Sequence, residues 1–269
     1  MLRRHPHGDA LVFLFDFLYG SFPVCYNEKI IDVSESGGHM DSYKITFLAH
    51  SGFALELSDC VLVFDLYKDP AGALPGVFDL GKPVYFFVSH IHGDHFNPSI
   101  YQWKEKAAGY ILHKDCVAGD RTGAAVHFMD VGEDYETPQF AVHMYGSTDA
   151  GGSYMIHHGD DVIFHAGDLN WWHWAGEEDG DNREARRWYF EELSKIREKA
   201  VDLAFFPVDA RQEVAREWGV EAFLDRTIVK ERLVPMHAFG TRWCPSYRFR
   251  WHYDVPLWIP SKEGDLFVK

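Results

Sequence analysis

Val84-Tyr85-Phe86-Phe87-Val88-Ser89-His90-Ile91-His92-Gly93-Asp94-His95 decides how the chain is read. The first five residues form a continuous apolar run of strand length, as expected for a strand buried on both faces. Three histidines and an aspartate then crowd into His90–His95 at the end of that strand. On extended backbone, residues two apart point to the same side, so His90 and His92 can meet one metal ion. Gly93 permits a sharp turn, after which Asp94 and His95 can face a second ion beside the first. Imidazole and carboxylate donors together suit zinc, iron or manganese.

The flanking sequence supplies a scaffold of mixed class. Short alternating runs at 45–48, 53–57 and 61–66 are separated by His50-Ser51-Gly52 and Ser58-Asp59. This spacing predicts consecutive antiparallel strands. A helix is expected over 98–107, with Asn97 as N-cap and Pro98 in the first turn. Further strands are expected at 109–113, 125–129, 140–145, 153–157 and 162–165. The longest helix is expected from about 183 to 199, where apolar residues recur at helical spacing. Residues 203–207 and 233–236 read as two more buried strands with helical sequence between them. Strands interleaved with helices, without repeats or a low-complexity linker, predict one α/β domain from Met40 onward.

The motif H-x-H-x-D-H after an apolar strand resembles the hallmark of the metallo-β-lactamase superfamily, and the likeness runs through most of 43–240 in the family's order. It implies a four-layer αβ/βα sandwich with the site at one edge between two sheets. It also implies that His90 and His92 serve a first metal site and Asp94 and His95 a second. Asp168, in His165-Ala166-Gly167-Asp168, matches the carboxylate that bridges both metals. His237, ending Leu233-Val234-Pro235-Met236, matches the last ligand of the second site. Asp65 matches an aspartate that orients the histidine loop by hydrogen bonding rather than by touching metal. One departure stands out. Where the family has a histidine in a segment like G-H-T-P-G-S, this chain reads Gly146-Ser147-Thr148-Asp149-Ala150-Gly151-Gly152-Ser153. Aligning Ser153 puts Asp149 in the histidine's place; His143 and Ser147 are the rival candidates.

The resemblance implies two divalent metal ions, zinc first with manganese or iron as alternatives. They would hold a hydroxide that cleaves a small ester, lactone or phosphodiester. Asp94 would accept or relay the proton, and His165 and His173 are candidate acids. The family also leaves room for a metal-binding or sensing module without turnover, and for a mononuclear iron oxidase. The segments 171–174 and 239–253, rich in tryptophan, tyrosine and arginine, are expected to ring the pocket. Their arginines could hold an anionic group on the substrate.

Bulk properties narrow the partners. The formal net charge of −15 disfavours extended contact with nucleic acid. No apolar run reaches the roughly 18 residues that span a bilayer. The four cysteines, Cys25, Cys60, Cys116 and Cys244, contain no C-x-x-C pair and read as free thiols of a cytoplasmic protein. Oligomeric state is not readable. Residues 1–39 differ in pattern from the remainder, and Gly37-Gly38-His39-Met40 could encode a ribosome-binding sequence ahead of a start codon. Translation is therefore expected to begin at Met40, with 1–39 a non-native or poorly packed extension of the 40–269 domain.

Overall fold

The computed structural model describes Met40 and residues 42–269. The expectation about residues 1–39, and Cys25 with it, lies outside the described residues.

Two mixed sheets face each other. In the first, β1 (Lys44–Ala49), β2 (Gly52–Glu56) and β3 (Val61–Phe64) run antiparallel in succession, as their turn spacing predicts. β4 (Val84–Val88), β5 (Gly109–His113) and β6 (Val126–Met129) continue the sheet from β3 in parallel. The second sheet contains β7 (Asp134–Glu136), β8 (Ala141–Gly146) and β9 (Gly152–His158) in antiparallel order. β9 pairs antiparallel with β10 (Asp161–His165). From β10 the sheet turns parallel through β11 (Ala200–Pro207) to β12 (Ile228–Met236). The last strand, β13 (Leu266–Val268), returns to pair with β1.

Period-2 alternation divides each central strand between two hydrophobic layers. Leu62, Phe64, Tyr85 and Phe87 face the space between the sheets. Val61, Val63, Val84, Phe86 and Val88 face outward. There they pack on α1 (Leu74–Phe78) and on the 3₁₀ turn Pro98–Trp103. Likewise Phe205 of β11 packs inward on Phe53 and Phe64, while its neighbour Phe206 packs outward on Phe223 of α3 (Trp218–Leu224). α2 (Asp179–Lys195) buries Tyr189 and Leu193, and α4 (Tyr247–His252) follows near the C-terminus. Helices outside two facing sheets make the expected four-layer sandwich. Between the sheets, the Tyr154 hydroxyl of β9 donates to the carbonyls of Val88 and Ile111 in the first sheet.

Two helices differ from expectation. The segment after Asn97 closes as a 3₁₀ turn and stops at Trp103. The Asn97 cap is present, its side chain accepting from the Ser99 amide at 2.9 Å. The chain must, however, re-enter the sheet by Gly109, and the Ala108 amide already bonds to Val84. The long helix begins and ends four residues earlier than its apolar spacing suggests. Ile196 is extended because β11 recruits the chain from Ala200 to pair with both β10 and β12. Among the described residues, no helix is long and apolar enough to cross a membrane.

This topology gathers polar side chains in one place. The strands β3, β4, β10, β11 and β12 all end at one edge of the sandwich. Open parallel sheets bind ligands at the carboxyl ends of their strands. Each of these five ends carries an aspartate or histidine within three residues: Asp65, His90, Asp168, Asp209 and His237.

Candidate metal centre

Two groups of donors meet at that edge. His90, His92, Asp149 and Asp168 form one; His50, Asp94, His95 and His237 form the other. Within each group the candidate ligand atoms lie inside 4.8 Å of one another. Asp168 stands between them. Its Oδ2 is 3.5 Å from His90 Nε2, whereas its Oδ1 is 3.2 Å from His95 Nε2 and 3.6 Å from His237 Nε2. One oxygen therefore faces each group.

The histidines are held by their far nitrogens. Asp65, at the end of β3, accepts from the Ser89 amide at 2.7 Å, from the Ser89 hydroxyl at 2.7 Å and from His95 Nδ1 at 2.8 Å. Since the Ser89 hydroxyl donates to Asp65, it is left to accept from His90 Nδ1 at 2.9 Å. Across the cleft, Asp209 accepts from His237 Nδ1 at 3.1 Å. With Nδ1 donating in all three rings, Nε2 is the nitrogen that each turns toward Asp168, and it ligates once free of a proton. A hydrogen bond on the outer nitrogen is the usual way a metal-binding imidazole is oriented.

These inward atoms lack partners. Among the described residues, Nε2 of His50, His90 and His95 and Oδ1 of Asp168 are buried without a hydrogen bond. Orphaned buried polar atoms are costly, and four converging on one point fit bound cations. Charge tells the same story. Burial opposes ionisation of Asp168, yet the neighbouring His95, His237 and His90 hold its carboxyl far below the usual range. Burial likewise disfavours a charged His95, but Asp168 and Asp65 raise its pKa well above the ordinary value. Burial, then the adjacent His95, push His90 down to about 4, leaving its ring neutral and ready to ligate.

Close backbone approach makes room for this packing. Gly151, at φ +67°, lies against the histidine loop; a Cβ there would sit 2.1 Å from the Ser89 carbonyl oxygen and 2.5 Å from His90 Cβ. Gly167, at φ +53°, would meet the Gly152 carbonyl oxygen at 2.7 Å. His50, Asp65, His237 and Phe239 also adopt positive φ values, between 40° and 57°, which non-glycine residues rarely occupy. Strain of this kind gathers where surrounding structure fixes a functional geometry.

All seven ligand candidates from the sequence come together here: His90, His92, Asp94, His95, Asp149, Asp168 and His237. Asp65 sits behind them. Asp149 Oδ2 is 3.4 Å from His92 Nδ1, and both side chains are about half exposed. Of its rivals, His143 pairs instead with Asp134 at 2.7 Å, and the Ser147 hydroxyl accepts from the Asp149 amide. His165 is a packed residue rather than an acid. It is fully buried, stacked on Phe64 at 4.7 Å, and its Nε2 donates to the Ser51 carbonyl. His173 packs on Trp218.

The expected aromatic rim holds in part. Trp172, Trp174, Arg211 and Phe239 line a cavity of about 360 Å³ over Asp94, Asp149 and His237. By contrast Tyr247 and Trp251 stack on each other at the surface, and Arg248 pairs with Glu221. Helix α4 turns them away from the site.

Three participants escaped the sequence reading. His50 reads as part of a turn, yet it is 3.3 Å from Asp94 Oδ2 and 4.0 Å, ring to ring, from His237. Asp209 follows Pro207-Val208 just as Asp65 follows Phe64, and that strand-end carboxylate was the available signal. Arg211 forks onto Asp209 and lies over the Phe239 ring at 3.5 Å.

Solved structures share this fold. Igni18, a metallo hydrolase from the archaeon Ignicoccus hospitalis, superposes with a TM-score of 0.56 at 13% identity, covering 85% of this chain and 98% of that one. The metallo-β-lactamase fold protein YhfI from Bacillus subtilis superposes at 0.53 with 14% identity, covering 85% and 100%. The chain has the metallo-β-lactamase fold. Its H-x-H-x-D-H loop lies at the strand-end edge of that fold. In sequence it is 26% identical over 214 residues to a UPF0173 metal-dependent hydrolase of Desulforamulus reducens, covering 72% of this chain and 83% of the relative. No protein-family profile matches.

Proposed function

We propose that the chain is a hydrolase that holds two divalent metal ions, zinc first among them, one in each donor group. His90, His92 and Asp149 would hold one ion, and His50, Asp94, His95 and His237 the other, with Asp168 shared. The observation that carries this reading is the partition of donors about the two oxygens of Asp168, together with the orphaned Nε2 atoms. When bound, such ions lower the pKa of a water ligand toward neutrality and polarise the bond to be cleaved.

The remaining work falls to the chain. Asp65 and Asp209 hold the imidazoles in the Nδ1–H form. Asp94 carries a carboxylate kept well ionised, first by the neighbouring His50 imidazole 3.3 Å away, against the opposing effect of burial. It lies at the cavity floor, where it can take up a proton from the attacking water. Trp172, Trp174 and Phe239 shape a slot for a small ester, lactone or phosphodiester. A neighbouring cavity of about 460 Å³ shares Asp94 and Phe239 with the first and is lined by Lys68, Arg242 and Lys262. In so acidic a protein, these cations favour substrates with an anionic group.

Elemental analysis of purified protein tests the reading. Asp149→Asn is expected to carry about one metal fewer per chain than wild type, with turnover of generic esters lost in His92→Ala. A metal content that Asp149→Asn leaves unchanged would remove the binuclear centre.

A further inference from the structure

At the end of the sandwich away from this centre, two hairpin turns meet. Asp59 and Cys60 lie in the turn from β2 to β3. His158 closes β9 at the turn into β10. A carboxylate oxygen, the Cys60 sulfur and an imidazole nitrogen lie within 4.8 Å of one another. Cys60 is completely buried, while Asp59 opens to solvent. His158 Nε2 is 2.7 Å from Asp59 Oδ1. Its Nδ1 is buried without a hydrogen bond among the described residues, 3.7 Å from Asp161 Oδ2. The imidazole thus has a carboxylate near each nitrogen and the Cys60 sulfur within 4.8 Å of its candidate ligand atom.

We propose that Asp59, Cys60 and His158 form a separate binding site for zinc or another thiophilic divalent ion. One sulfur, one nitrogen and one oxygen suit zinc and exclude the hard cations, which take oxygen alone. On binding, the Cys60 thiol passes its proton to the buffer and ligates as thiolate. Asp161 is placed to orient the imidazole through the nitrogen that does not ligate. Three protein ligands leave the fourth tetrahedral position to water, on the open side beside Asp59, so this ion exchanges readily. Its ligands come from opposite sheets and stand 99 positions apart in sequence between Asp59 and His158. The ion therefore fastens the sheets together at the end opposite the strand-end centre.

A thiolate ligand gives this site a signature that the strand-end centre lacks, since neither donor group there contains cysteine. Cobalt(II) added to the metal-free full chain should produce a thiolate-to-cobalt charge-transfer band in the near ultraviolet. The band should persist in the triple variant Cys25→Ser, Cys116→Ser, Cys244→Ser. It should vanish when Cys60→Ser is added, with one fewer metal per chain. Absence of the band in wild type, or its survival without Cys60, overturns the proposal. If Cys60→Ser fails to fold, the triple variant decides alone, because Cys60 is then the only thiol. Loss of the band in that variant counts against the site. None of these readouts depends on hydrolysis, so failure here and failure of the proposed activity are distinguishable.

Discussion

The two ends of the sandwich are made by the same strands and treat charge in opposite ways. At the end where β2 finishes and β11 begins, carboxylates meet ammonium groups. Glu56 lies 2.8 Å from Lys82 and 3.0 Å from Lys44, Asp202 lies 3.2 Å from Lys230, and Glu231 lies 2.7 Å from Lys269. At the other end Asp168 meets three imidazoles at 3.2 to 3.6 Å, and its Oδ1 has no hydrogen bond. Lysine would satisfy these carboxylates and leave nothing to bind. Imidazoles tied back through Nδ1 leave the charge unbalanced, and that imbalance is what a divalent cation answers. The carboxylates paired with lysine at one end are satisfied within the chain; Asp168 at the other keeps Oδ1 without a hydrogen bond.

The sharpest way to break the contrast is Asp168→Asn. Removing the shared carboxylate should empty both donor groups and reduce ester turnover by more than about 100-fold, beyond the usual effect of losing a supporting residue. Retention of both metals by elemental analysis would contradict its bridging role. Next in size is Asp209→Asn, which frees His237 Nδ1 while leaving the metal-facing atoms in place. Metal affinity or activity should fall by about 10–100-fold. A chelator titration would read this, and an unchanged affinity would make the Asp209 contact incidental. His50→Ala tests the ligand that sequence did not reveal. The expected result is selective loss of one of two metals, with the His90 group still loaded. Full occupancy would return His50 to a packing role.

The smallest effect lies at the paired end. Burial works against ionisation of Glu56, but hydrogen bonds from Lys82 and Lys44 lower its pKa in the folded state. A depressed folded pKa gives stability that is present above the unfolded value, about 4.3. That stability disappears as pH falls through the folded value. Glu56→Gln should therefore cost about 0.5 kcal/mol at neutral pH. The difference from wild type should shrink on acidification below the ordinary glutamate range. Denaturant unfolding at the two pH values checks this, and a gap that widens in acid would be the wrong sign. Metal content should not change.

Sequence revealed most of what lies on extended backbone. The β4 run with its histidine loop, the Asp65 strand end and the Gly167-Asp168 step all state their roles locally, because period-2 geometry fixes which side chains share a face. Asp149 does lie beside His92, at 3.4 Å, where its place in the motif puts it despite the different residue type. What escaped depends on distant pairing. His50 looks like any turn residue until β12 brings His237 beside it, and Asp209 acquires meaning only through the same approach. Tyr247 and Trp251 failed in the reverse sense. Their chemistry suited a pocket, but α4 directs them outward, and nothing local to 247–252 says so. The limits of α2 were missed for a related reason: helical spacing continues into residues that β11 claims for the sheet.

The ties from Asp65 to His95 and from Asp209 to His237 belong to different sheets and are synthesised at different times. In chain order the histidine loop and its Asp65 anchor come first. The opposing half arrives only with β10 to β12. Ions met early can be held by few ligands and released; tight capture must coincide with docking of the second sheet. Complete ligation in the proposed centre thus needs both sheets, so tight metal binding would be coupled to their docking.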